Sequence, residues 1–282
     1  MWWPERFSVL APASLNVGLS PGGVHVVDAQ SARQWHVACA AAGTPASTTV
    51  WRDAVDALVP CLAEAAEGKK RNVRVHLGGR LVRWQLLPWR PELHSHSEHA
   101  AFAAARFREV FGSAAEGWQL HAAKVPPGQA TPAAAIDKEL LAALQSGIAA
   151  AAPAVQLQSV APYFSAAFDR WRHRLPRAAC WFVTVEDDCI SYGLLLHRQW
   201  QCLHSQRRQG DWRQQLPLWL TQAALAIDAA PRDPLALPIC IAGDMPNPPA
   251  AVPGAAWNFQ WLARRPVRGL TAQSGQRLAL GV

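Results

Sequence analysis

The same order of signals occurs twice in this chain: three short strand-like runs joined by tight turns, an amphipathic helix, then another strand. In the first half, LNVGL (15–19) and VHVVDA (24–29) flank a turn built on Ser20, Pro21, Gly22 and Gly23, and WHVACAAA (35–42) supplies the third run. A helix fits STTVWRDAVDALVPCLAEAAEG. Trp51, Val55, Leu58, Val59 and Leu62 share one of its faces, Ser47 or Thr48 caps it, and Pro60 is expected to kink or shorten it. In NVRVHLGGRLVRWQLLPW (72–89), two apolar runs around Gly78-Gly79 predict a hairpin.

Two helices follow. One lies in SEHAAFAAARFREVFG, with Ala103, Phe107, Val110 and Phe111 on one side and Ser97 as a candidate cap; the other lies in AIDKELLAALQSGIAAAA. WQLHAAKV between them reads as a strand, and VPPGQATP (125–132) as loop.

The second half opens with a strand in VQLQSV (155–160) and a helix in PYFSAAFDRWRHRL. Three strands come next, at 179–185, 189–196 and 199–206. A helix over about 211–228 contains Pro217, and further strands fall in LALPICIAG (235–243) and WNFQWLA (257–263). No period is legible beyond Arg264. The repeated β-β-β-α-β order predicts an α/β protein of two related subdomains, residues 1–155 and 156–282, each a mixed sheet flanked by helices.

With 282 residues, half of them hydrophobic, the chain holds real cores and is not disordered. No apolar run reaches the roughly 18 residues that a spanning helix needs, and MWWPERF lacks a signal-peptide pattern; both predict a cytoplasmic protein. Six cysteines without a C-x-x-C pair read as small buried hydrophobes. A net charge of +7, mostly from arginine, permits contact with nucleic acid or an anionic membrane face without requiring either.

Three phrases, VHVVDA, VRVHLGGRLVRWQLLPW and VTVEDDCISYGLLL, together with the duplicated order, resemble the actin-like ATPase superfamily, and within it the PilM/GspL-like branch of type IV pilus and type II secretion proteins. The resemblance implies two actin-like (RNase H-like) subdomains. It also implies a nucleotide cleft, whose positions fall on Gly18, Ser20, Gly22, Gly23, Thr184, Glu186, Asp187 and Gly243. In the family, an Asp-x-Gly in each hairpin holds metal, water and phosphate. Here the first Asp falls on Gly18 and its Gly on Ser20, while the second pair falls near Thr184 and Glu186. Losing the first Asp removes a metal anchor, and Glu186, Asp187 and Asp188 bring like charge to a triphosphate position. The adenosine Gly-Gly survives only as the single Gly243 of ICIAGD.

The expectation is a degenerate cleft with no catalytic residue and no cofactor, in which ATP binding without turnover stays open, in a scaffold peripheral to the inner membrane. The implied partner is the cytoplasmic tail of a single-span pilus or secretion protein, with self-association a second option. The alternatives are an ATP-cycling or sugar-kinase-like enzyme in which Asp28, Glu186 or Asp187 replaces the missing aspartates, and a basic nucleic-acid-binding protein.

Other clusters have plainer readings. His94, His96 and His99 of HSHSEH resemble metal ligands but read better as a polar loop before a helix. The EDD of 186–188 reads as an exposed turn. No G-x-S-x-G is present. The Arg/Trp pairings at Trp84, Trp171 and Trp212 fit core packing better than base stacking.

Overall fold

The computed structural model describes residues 14–28, 30–39, 50–151, 155–227, 233–243, 259–262 and 275–281. The first sheet has the order β3-β2-β1-β4-β8: β1 Ser14–Ser20, β2 Gly23–Asp28, β3 Arg33–Ala38, β4 Arg71–Leu77 and β8 Val155–Pro162. β2 is antiparallel to β1 and β3, while β4 is parallel to β1 and to β8. The second sheet repeats this plan as β11-β10-β9-β12-β13: β9 Ala179–Val185, β10 Cys189–Leu196, β11 Gln199–Arg207, β12 Ile239–Gly243 and β13 Phe259–Trp261. Its hairpin strands are again antiparallel and its last two parallel to the first. The duplicated mixed-sheet architecture expected of an actin-like protein is therefore present.

Alternation decides which face each strand buries. Leu15, Val17 and Leu19 of β1 and Val73, Val75 and Leu77 of β4 join the core under α1 (Arg52–Ala66) and α3 (Lys138–Ala151). α1 runs unbroken past Pro60, which is exposed, as is Asp56 four residues earlier, so the carbonyl the proline leaves without a donor can face water. Its expected caps Ser47 and Thr48 lie outside the described residues. In the second half, Trp212, Leu216 and Leu220 of α5 (Trp212–Leu225) cover the outer face of the sheet against Trp181, Val183 and Ile241. Trp171 and Trp212 are core residues.

Two helices lie between the sheets. α4 (Tyr163–Trp171) leaves the end of β8 and packs Phe164 and Ala167 with Phe182 of β9 and Ala242 of β12. α6 (Gln276–Leu280), where no period was legible, packs on β1, β2 and β4 and contributes Leu278 to the same core as α4. The last strand of the first sheet, β8, begins at the 155/156 division and runs past it, and the C-terminal helix returns to that sheet.

Several local expectations are corrected. Residues 72–89 are not a hairpin: β4 pairs in the first sheet, whereas β5 (Arg83–Leu87) pairs with β7 (Thr131–Asp137) in a third sheet of order β5-β7-β6, completed by β6 (Trp118–Ala122). Gly78 and Gly79 lead into a 3-10 turn over Gly79–Leu81 that carries the chain from one sheet to the other. Ala135, Ile136 and Asp137 belong to β7 and not to the following helix, because small side chains let that central strand lie between two neighbours. α2 (His96–Phe111) is capped by Ser95, whose hydroxyl accepts from the Glu98 N–H while the Glu98 carboxylate accepts from the Ser95 N–H. Val110 faces solvent.

Candidate functional site

The carboxyl ends of the parallel strands β1, β4 and β9 converge where the two halves meet, the position at which open α/β sheets present ligand sites. Leu19 accepts a hydrogen bond from the Gly78 N–H at 2.8 Å, which joins the end of β1 to the paired glycines. From the other half, Glu186 reaches across the junction. Its carboxylate oxygens both accept from the Gly79 N–H, at 3.0 and 3.1 Å. Side chains at the glycines would collide with this contact. A Cβ on Gly78 would lie 2.7 Å from Glu186 Oε2, and one on Gly79 would lie 2.7 Å from both Cys189 Sγ and Ser191 Oγ. Arg80 adds an ion pair to Asp188 at 3.3 Å, both largely buried; burial raises the Asp188 carboxyl above its usual range and Arg80 opposes that.

The EDD turn is thus only partly the exposed turn expected. Asp187 is exposed, but Glu186 is buried with 3% of its surface accessible. Turn composition marks solvent exposure, and only the fold reveals that the first of the three carboxylates meets a backbone donor. Replacing Glu186 with Ala leaves a buried N–H unpaired and is expected to cost about 2–3 kcal/mol of stability, read from urea unfolding. Glu186→Gln, whose amide oxygen still accepts, is expected to lose much less.

Gly18, onto which the resemblance places the first Asp, is packed in a different way. Gly18 pairs with His25 on one side and His76 on the other, and α6 lies directly over it. A Cβ at Gly18 would come 2.7 Å from the Ala279 nitrogen and 2.9 Å from Leu278 Cγ. His76 Nδ1 donates to the Ala279 carbonyl at 2.8 Å, and burial drops its pKa to about 4. Gly275, at the start of the helix, packs on His25, and Gly281, at its end, on His76; both glycines have positive φ. The two histidines therefore bracket the C-terminal helix.

The remaining expected site residues have structural surroundings. Ser20 lies against Gly78, with its hydroxyl 3.5 Å from the Gly23 carbonyl. Gly22 is exposed in the turn. Gly23 has φ +152°, and a Cβ there would sit 2.4 Å from the Val37 carbonyl oxygen, so close strand approach demands glycine. Thr184 is buried, its hydroxyl 3.5 Å from the Ser191 carbonyl. Gly243 presses on β9, where a Cβ would meet the Val185 oxygen at 2.4 Å. Asp28 lies at the other end of β2, roughly 17 Å of strand away from the turn, and takes the Gln30 and Ser31 N–H groups and Arg71 at 3.5 Å. It cannot stand in for a phosphate-loop aspartate. Among the described residues no three His, Cys, Asp or Glu side chains form a metal-ligand set.

Sequence reasoning missed a second feature. β6 is an outer strand of the third sheet, and β8 is an outer strand of the first. Between β6, α3 and β8 lies a cavity of about 300 Å³, and beyond β6 lies a groove of about 970 Å³ walled by α2, α4 and the β10–β11 hairpin. Gln119 of β6 lines both. The only sequence signal was the WQLHAAKV strand itself, which does not reveal an unpaired edge.

Two mixed sheets of identical strand order, with a hairpin from each meeting at a glycine pair, define an actin-like fold. More narrowly, the fold is PilM/GspL-like. The chain superposes on the cytoplasmic domain of EpsL, an inner-membrane component of the type II secretion system of Vibrio cholerae, with a TM-score of 0.55 and 14% identity over 95% of this chain and 94% of that one. It is similar to a chain of the PilM–PilN type IV pilus biogenesis complex at a TM-score of 0.58 and 14% identity, over 82% and 81% of the two chains. No protein-family model matches the sequence, and no curated protein does.

Proposed function

We propose that this chain is a non-catalytic actin-like scaffold, acting at the cytoplasmic face of the inner membrane in assembly of a type IV pilus or a type II secretion-type machine. The proposal is supported by the packing at the two positions onto which the resemblance places the phosphate motifs, where the chain's own atoms already meet. The backbone of α6 covers Gly18, and the Glu186 carboxylate takes the Gly79 N–H. A phosphate brought against the Gly79 N–H would meet the Glu186 carboxylate that already accepts from it, and Gly18 offers no carboxylate to hold a metal at the first hairpin, so the residues fit ATP and its metal poorly. No described helix is long and apolar enough to cross a membrane.

The partner in this reading is the cytoplasmic tail of a single-span membrane protein. The cavity beside β8 and the groove beyond β6, both lined by Gln119, suit an extended segment, because β6 is an outer strand whose edge can accept a further one. The similarity to a PilM–PilN complex supports the same reading. The test is fluorescence anisotropy with synthetic tails of the membrane proteins encoded beside this gene. Saturable binding that Gln119→Trp abolishes is expected, since Gln119 is exposed and lines both cavities. Absence of binding by every such tail contradicts the partner assignment.

A further inference from the structure

The chemistry of the groove beyond β6 says more about its occupant, given that it receives a peptide tail. Its floor is aromatic. Trp84 meets Phe164 edge-on with centroids 5.6 Å apart, and Trp200 packs against Phe164 at 5.6 Å and Phe168 at 4.7 Å. These rings are tilted against one another, which makes an irregular apolar surface for a side chain and no parallel slot for a planar base.

Its mouth is cationic. Lys124, just past β6, and Arg198, at the tip of the β10–β11 hairpin, line it from opposite elements; both are exposed, and neither forms an ion pair among the described residues. Arg172 also lines the groove but already faces Asp169 at 3.8 Å. Arg198 is held in place against its backbone preference. The two-residue turn gives His197 and Arg198 positive φ values of 49° and 65°, where glycine or asparagine is the usual choice. A strained cation with no ion-pair partner among the described residues, beside an apolar floor, marks a place for an outside anion.

We propose that the groove selects a tail bearing an acidic side chain beside an aliphatic or aromatic anchor, the anchor on the Trp84–Trp200 floor and the carboxylate between Lys124 and Arg198. This rests on the tail-binding reading above.

Selection of a random linear peptide library on the full chain tests it, followed by anisotropy with the recovered peptides. Peptides pairing Asp or Glu with a large apolar residue are expected. Their affinity should fall about tenfold in Arg198→Gly/Lys124→Gln and weaken with added salt. Arg198→Gly alone should raise the thermal midpoint, because glycine relieves the turn, so lost affinity there cannot be attributed to unfolding. Peptides that Gln119→Trp excludes but that lack acidic residues, or that ignore the two cation changes, would overturn this inference and leave tail binding standing. Recovery of no peptide sensitive to Gln119→Trp would overturn both. Displacement of the selected peptides by a nucleoside phosphate would overturn the assignment to an acidic peptide.

Discussion

Gly18→Asp, which restores the aspartate of the actin-like ATPases, is expected to destabilise the first half by about 4 kcal/mol or more and to create no ATPase. The added Cβ alone falls within 2.7 Å of the Ala279 backbone nitrogen, and α6 cannot yield without leaving the sheet. Beyond the clash, the new carboxylate would be enclosed by β1, β2, β4 and α6. His76 offers it no proton donor, because its Nδ1–H is committed to Ala279. Gly18→Ala, which adds the steric term without the charge, should cost about 1–3 kcal/mol. Urea unfolding of the three proteins separates the two contributions; Gly18→Asp folding with undiminished stability would refute the placement of α6.

Acid is expected to loosen the same helix. Burial lowers His76 to about 4 from its usual 6.5, with the nearby Arg74 acting in the same direction and the hydrogen bond to Ala279 opposing them. The folded chain therefore holds His76 neutral at pH values where the unfolded chain has protonated it. The stabilisation is complete above pH 6.5 and is lost as pH falls from 6.5 toward 4, by up to about 3 kcal/mol. Comparison with His76→Asn, which keeps a donor in place of Nδ1 but does not titrate, isolates this contribution. In unfolding experiments between pH 7.5 and 4.5, the wild-type free energy should fall more steeply than that of the variant, while equal slopes would remove His76 as the cause.

Hairpins were legible in the sequence wherever strand pairing is local. β1 with β2, and β9 through β11, follow from alternation and short turns, and the repeated order carried the fold class. Pairing across long separations was not legible. Residues 72–89 have the pattern of a hairpin, yet β4 and β5 join different sheets, since alternation states which face is buried and not which strand lies alongside. Ala135 and Ile136 fit a helix by propensity, and tertiary packing between β5 and β6 decided otherwise. α6 has five residues between two glycines, too few for a period, and it owes its place to the histidines and Leu278.

The tight turn of LNVGLSPGGVHVVD is legible in the sequence, but the helix that rests on Gly18 is not. Gly18 is small because a helix from the other end of the chain rests on it. Glu186, expected to repel phosphate from an exposed turn, is buried instead and holds the two halves together through Gly79.

Isothermal titration of the full chain with ATP and Mg²⁺, paired with a phosphate-release assay, tests most directly whether the fold has given up its nucleotide. A scaffold whose cleft is filled by α6 and Glu186 should give no saturable heat at micromolar ATP and no phosphate above the buffer rate. Saturable micromolar binding would contradict the filled cleft, and turnover with it would contradict the scaffold itself.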